Sequence, residues 1–120
     1  MAPIHGKPLL LYISATATSL GVLLAQDDET KKERVIYYIS RTLVAYELNY
    51  SIIEKECLVV VFASQKLRHY MISHMVKLIA KIDPLKYLLR RTTLTRCSVK
   101  WVLILSEFDI EYVEWRVIKG

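Results

Sequence analysis

The chain has 120 residues, of which 53% are hydrophobic and 24% charged, a balance typical of a globular chain and not of a disordered one. Three glycines and three prolines exclude collagen-like and linker sequences, and the longest apolar runs, 9–13 and 58–63, are far shorter than the ~20 residues of a membrane-spanning helix. The formal charge of +5 is unevenly distributed, because positions 66–100 hold nine basic residues and one acidic residue. We therefore predict a single domain over residues 1–120 with a basic segment suited to a polyanion.

Three strands are predicted in the first forty residues. Positions 9–13 form a short apolar run typical of a buried strand, 19–26 give a second strand, and 34–40 are rich in Val, Ile and Tyr. The charged segment 27–32 is the turn between the second and third strands. Strands that follow one another so closely favour an antiparallel meander.

A helical period begins after Tyr50. Its stripe of apolar and small residues consists of Ile53, Cys57, Val60, Ser64, Leu67 and Met71. Ser51 followed by Glu54 fits a capping box at the start of this helix. Positions 58–63 are apolar nearly all round, so this part is expected to be buried most deeply. Cys57 and Cys97 both lie in apolar surroundings and are expected to be buried and reduced.

The last third of the chain predicts two more strands and two helices. Residues 75–82 alternate between faces like a strand, and Asp83-Pro84 is an N-cap followed by proline, which opens a short helix. A further helix is predicted over 94–105 and a last strand over 109–115. The order β, β, β, α, β, α, α, β indicates an α/β fold with a mixed sheet, and its strand, helix, strand unit favours a right-handed crossover.

Several of these motifs together resemble the ribonuclease H-like domain that follows the reverse transcriptase in gypsy-type retrotransposon polyproteins. The most specific stretch is Glu47-Leu48-Asn49-Tyr50-Ser51, followed by Glu54-Lys55-Glu56 and by Lys66-Leu67-Arg68-His69-Tyr70. The other matching segments are 11–12, 21–26, 38–43, 83–89, 100–101 and 107–109. The resemblance implies a ribonuclease H-like fold with a five-stranded sheet whose first three strands are antiparallel. The ending at Gly120 predicts that the last helix of such a domain is missing.

Active members of this family cleave the RNA strand of an RNA–DNA hybrid with two Mg²⁺ ions held by a cluster of carboxylates. The resemblance places the family's first-strand Asp on Ser14 and its fourth-strand Asp on Lys81, and only the helix Glu is retained, as Glu56. We therefore predict a non-catalytic domain without a metal or other cofactor. Lys81 and Glu56 are expected to form an ion pair in the vacated site. The pattern is similar to a plant-type subgroup that serves as a tether between polymerase and an active ribonuclease H.

Five basic residues are candidates for contact with the phosphates of an RNA–DNA hybrid: Lys86, Arg90, Arg91, Arg96 and Lys100. The expected partners are this nucleic acid and the polymerase domain of a longer polyprotein, with no membrane. Two alternatives remain open, an active nuclease with an altered metal site made of Glu54, Glu56 and Asp83, and a degenerate fragment that binds no nucleic acid.

Two further expectations concern the surroundings of the chain and its aromatic residues. No signal peptide is predicted, because the first apolar run is too short, so the protein is expected in the cytoplasm or in a virus-like particle. Tyr37, Tyr38, Tyr87 and Trp101 fall at strand or helix positions, where core packing is a better explanation than base stacking.

Overall fold

The computed structural model of the chain describes residues 6–80 and 96–114, and only the backbone of residues 96–100. Five strands form one sheet: β1 (Leu9–Ala15), β2 (Ser19–Asp27), β3 (Glu33–Thr42), β4 (Val76–Ala80) and β5 (Ile110–Glu114). The helical segments are a 3₁₀ helix (Ala45–Asn49), α1 (Ile52–Lys66), α2 (Arg68–Met71) and α3 (Arg96–Leu105). The predicted five-stranded mixed sheet is confirmed.

The sheet has the strand order β3-β2-β1-β4-β5. The pairs β1–β2 and β2–β3 are antiparallel, so the predicted meander is confirmed. After α1 the chain returns on the far side of β1, where β4 pairs with it in parallel, and β5 then pairs in parallel with β4. This topology makes β1 the central strand, with β3 and β5 at the two edges of the sheet.

The core lies between one face of the sheet and α1. Alternate residues of β1, namely Leu9, Leu11 and Ile13, are buried on this face. The whole stretch 55–64 of α1 is buried, which confirms that its apolar middle lies deepest. Cys57 is a buried thiol within it, as predicted.

The start of α1 confirms the predicted capping box, since the Ser51 side chain accepts from the Glu54 N–H and the Glu54 carboxylate accepts from the Ser51 N–H. The end of the helix differs from the prediction. Helix α1 stops at Lys66, because Leu67 leaves helical geometry (φ −112°, ψ 23°), and the short α2 follows. Leu67 and Met71 are both buried, so the break redirects the chain while the apolar stripe still faces the core.

The sequence also gave no sign of the 3₁₀ helix that precedes α1. It is five residues long and begins after Val44, which has no side-chain group to cap a helix. Glu47 supplies the other half of a capping box, because its carboxylate accepts a hydrogen bond of 2.9 Å from the Val44 N–H. The segment is too short for a helical period to be visible in the sequence.

The prediction of core packing was wrong for two of the four aromatic residues. Tyr37 and Tyr38 are 48% and 61% exposed, because both lie on β3, an edge strand of the sheet. Trp101 does pack partly buried against the core, as predicted. Tyr87 and the predicted helix at 83–89 lie outside the described residues. Within the described part of the chain, no helix is long and apolar enough to cross a membrane.

Candidate functional site

Ser14 lies near the end of β1, at the centre of the sheet, and its side chain is exposed. Its cross-strand partner on β2 is Gly21, which in turn pairs with Ser40 on β3. These three positions form a row across the sheet face opposite α1, because side chains of paired residues point to the same side. A side chain added at Gly21 would place its Cβ 3.8 Å from the Tyr38 hydroxyl and 4.0 Å from Ser14 Cβ.

This row lies in a hollow of about 350 Å³ at the end of the β1–β2 hairpin. Its polar lining consists mostly of hydroxyl groups, those of Ser14, Thr16, Ser19, Tyr38, Ser40 and Thr42, together with Arg41. The Thr16 hydroxyl is engaged within the turn, since it accepts from the backbone N–H groups of Thr18 and Ser19. The hollow therefore offers mainly neutral hydroxyl oxygen atoms, with no carboxylate among its lining residues, while the Arg41 guanidinium is itself hydrogen-bonded to Glu47.

Glu56, the family carboxylate retained in the sequence, is buried in the second turn of α1. The neighbouring Glu54 is hydrogen-bonded at the start of the helix, 2.8 Å from the Ser51 N–H, so its carboxylate stabilises the capping box. The two glutamates thus have different environments on the same helix. Of the two, only Glu56 is buried.

Lys55, between these two glutamates on α1, is also buried, and the sequence did not predict its burial. Its side chain is 8% exposed, and Nζ donates a hydrogen bond of 3.2 Å to the Ala17 carbonyl in the β1–β2 turn. In the sequence, a lysine between two glutamates is typical of a solvent-exposed position. Its burial follows from a contact between residues 38 positions apart, which no local pattern reveals.

The described donors do not fit a pair of Mg²⁺ ions. Mg²⁺ prefers carboxylate oxygens, and a two-metal site needs several of them close together. Over residues 6–80 and 96–114, no group of three Asp, Glu, His or Cys side chains lies together in a way that could hold a metal ion. At the position on β1 where the resemblance places an aspartate, the structure has the hydroxyl of Ser14.

The remaining predicted site residues lie outside the described residues, or are described by their backbone alone. Lys81, Asp83, Lys86, Arg90 and Arg91 are all outside the described residues, so the predicted Lys81–Glu56 ion pair stays a prediction. Arg96 and Lys100 belong to the first five residues of α3, and only their backbone is described. Helix α3 packs against α1, so these two positions lie on the helical side of the sheet.

Comparison with known proteins gives a consistent family assignment. Residues 5–108 match the family described as "RNase H-like domain found in reverse transcriptase". The chain is 34% identical over 114 residues to the retrovirus-related Pol polyprotein from transposon 297 of Drosophila melanogaster, a match that covers 93% of this chain and 10% of that protein. The Tf2-3 transposon polyprotein of Schizosaccharomyces pombe is 28% identical over 116 residues, a match that covers 88% of this chain and 8% of that protein. The chain thus spans about a tenth of these relatives.

Solved structures share the fold at low sequence identity. The foamy viral protease-reverse transcriptase in complex with dsDNA superposes with a TM-score of 0.77 at 15% identity, covering 98% of this chain and 25% of that one. LC11-RNase H1 superposes with a TM-score of 0.61 at 12% identity, covering 92% of this chain and 86% of that one. These likenesses confirm the predicted ribonuclease H-like fold.

Proposed function

Because the chain belongs to the family of RNase H-like domains found in reverse transcriptase, we propose that it is a non-catalytic connection domain of a retrotransposon polyprotein. The observation that carries this proposal is Ser14, a neutral hydroxyl on the central strand where the resemblance requires an aspartate. In this proposal the domain is a gypsy-type tether that packs against the polymerase. Its place of action is the cytoplasm or a virus-like particle.

Electrostatics supports the absence of catalysis. Two divalent cations bring four positive charges, which the neutral hydroxyls around Ser14 and the one retained family carboxylate, Glu56, would not balance. The resemblance adds a further positive charge at Lys81, which follows β4 directly in the sequence. We propose that Lys81 pairs with Glu56 and thereby occupies the place that a metal ion takes in active members of the family.

The proposed ligand is an RNA–DNA hybrid or another nucleic acid, bound through its phosphates by Lys86, Arg90, Arg91, Arg96 and Lys100. The concentration of nine basic residues and one acidic residue in positions 66–100 supports this, since each contact with a phosphate releases counterions. The foamy viral protease-reverse transcriptase, which shares the fold, has been solved in complex with dsDNA and with an RNA/DNA hybrid.

The test is a calorimetric titration of Mg²⁺ and Mn²⁺ into the purified chain and into the double variant Ser14→Asp plus Lys81→Asp. We expect no binding by the parent chain and recovered binding by the variant, because the variant restores two carboxylates. A matched control, Ser73→Asp plus Lys77→Asp, changes the net charge equally at an exposed turn and on β4. The control should bind no more metal than the parent.

Two results would contradict the proposal. Tight two-site binding by the parent chain, together with cleavage of a hybrid, would establish the active nuclease with Glu54, Glu56 and Asp83 as metal ligands. The capping role of Glu54 speaks against that outcome. A failure to bind any hybrid at low salt would instead leave a degenerate fragment without nucleic-acid binding.

A further inference from the structure

Three aromatic rings form a continuous chain from the 3₁₀ helix to α3. The ring centroids of Tyr46 and Tyr50 are 6.3 Å apart, and those of Tyr50 and Trp101 are 6.2 Å apart, both in edge-to-face geometry. Tyr50 and Trp101 are partly buried against the core, so their positions are fixed by packing. Tyr46, at the outer end, is 66% exposed.

Further exposed apolar residues lie close to Tyr46 in the sequence. Val44, Leu48 and Ile52 are all exposed large hydrophobic residues. Val44 begins the 3₁₀ helix, where physical chemistry favours Ser, Thr, Asp or Asn. Apolar residues at such positions contribute little to folding, and residues that break a local rule without a folding benefit point to a binding role.

Charge decides which class of ligand this surface suits. The carboxylates nearest in sequence to Tyr46 are engaged within the fold, Glu47 with Arg41 and Glu54 at the start of α1. Helix α3, which carries the inner ring Trp101, contains Arg96 and Lys100 and no acidic residue. Aromatic rings beside a basic element are typical of sites for single-stranded nucleic acid, in which bases stack on the rings and cations hold the phosphates.

We propose that Tyr46 stacks against an unpaired base of a nucleic acid whose phosphates are held by α3. This inference rests on the proposed function and narrows its ligand, from a hybrid duplex in general to a hybrid with a single-stranded extension. Tyr50 and Trp101 support Tyr46 from behind, since the chain of edge-to-face contacts fixes the tyrosine against the core.

The experiment measures binding by fluorescence anisotropy with three labelled probes at one salt concentration. The probes are a blunt RNA–DNA hybrid, the same hybrid with a single-stranded DNA extension, and that extension with abasic sites. The parent chain should bind the extended hybrid about tenfold more tightly than the blunt one, the gain of one stacked base. The abasic extension should lose this gain, because it keeps the phosphates and lacks the bases.

Variants assign the gain to Tyr46. Tyr46→Ala should bind all three probes equally, whereas Tyr46→Phe should keep the preference because the ring remains. Tyr37→Ala is the matched control, since Tyr37 is also an exposed tyrosine and lies on the edge strand β3, outside the lining of the hollow that contains Ser14. This control should bind like the parent. The thermal transition of each variant, followed by circular dichroism, shows whether it is folded.

The outcomes separate this inference from the proposed function. Equal binding of the abasic and normal extensions, or an unchanged preference in Tyr46→Ala, would overturn the stacking role and leave the binding of the hybrid backbone intact. No binding of any probe at low salt would overturn both. If sedimentation showed self-association that Tyr46→Ala abolishes while the binding of all probes is unchanged, the surface would be a protein interface and the inference would be wrong.

Discussion

Arg41 and Glu47 form the most buried ion pair among the described residues. The guanidinium donates two hydrogen bonds, from Nη1 to Oε1 at 2.7 Å and from Nη2 to Oε2 at 2.9 Å, and it lies 5.4 Å from the ring centroid of Phe62. Glu47 also accepts from the Val44 N–H. This pair therefore connects the end of β3 to α1 and to the 3₁₀ helix, which carries Tyr46.

The first prediction concerns the removal of the guanidinium. Arg41→Ala leaves the Glu47 carboxylate buried without its cation, so the free energy of unfolding should fall by about 3 kcal/mol. Urea unfolding measures this difference. Arg34→Ala is the matched control, because Arg34 also pairs with a carboxylate, that of Asp28, but its side chain is 61% exposed. The control should lower the free energy of unfolding by less than about 1 kcal/mol. Equal losses in the two variants would show that the burial of the Arg41–Glu47 pair does not determine its contribution.

The same pair predicts how stability depends on pH. The hydrogen bonds from Arg41 hold the pKa of Glu47 below its ordinary value, against the opposing effect of burial. A carboxyl group with a lowered pKa in the folded state contributes stability that is present above the pKa of the unfolded chain, about 4.3, and that is lost as the pH falls through the folded value. Glu47→Gln should therefore be less stable than the parent at pH 7, and the difference should shrink below pH 4. A difference that stayed constant from pH 7 to pH 3 would show that the charge of Glu47 is not responsible.

At the scale of a single element, α1 depends on its capping box. Ser51→Ala removes the side chain that accepts from the Glu54 N–H, and we expect the free energy of unfolding to fall by about 1 kcal/mol. Ser73→Ala, at an exposed turn between α2 and β4, is the matched control and should leave the stability within about 0.5 kcal/mol. Urea unfolding of both variants measures this difference. A loss of equal size in the control would contradict the prediction that Ser51 stabilises α1 by capping it.

The elements with a strong local signal were predicted correctly, and those that depend on distant contacts were not. The apolar run of β1 and the capping box of α1 are both visible within a few residues of sequence. The exposure of Tyr38 depends instead on the place of β3 at the edge of the sheet. The helix break at Leu67 depends on where the chain must turn to reach β4.

The candidate site divides in the same way. The motifs located Ser14 on the first strand and Glu56 on the long helix, and the structure confirms both elements. The row from Ser14 through Gly21 to Ser40 depends on the register of three strands, which periodicity does not provide. The contact of Lys55 with the β1–β2 turn likewise joins two distant segments.

For the whole molecule, the distribution of charge matters more than its sum. Positions 66–100 hold nine basic residues and one acidic residue, whereas the β2–β3 turn combines Lys31 and Lys32 with Asp27, Asp28 and Glu29. A polyanion is thus attracted to one part of the chain and not to all of it. If α3 holds phosphates, the salt dependence of binding must be sensitive to its two cations and insensitive to the lysines of the turn.

The last prediction measures that sensitivity through the slope of log K against log salt concentration for a hybrid. Each phosphate contact contributes about 0.7 to 0.9 to the slope, so Arg96→Gln plus Lys100→Gln should reduce its magnitude by about 1.4 to 1.8. Glutamine is nearly as good a helix former as arginine and lysine, so α3 should remain intact. Lys31→Gln plus Lys32→Gln removes the same charge from the turn and should leave the slope unchanged. If both double variants lowered the slope equally, binding would follow the net charge of the chain, and α3 would have no specific contact with the nucleic acid.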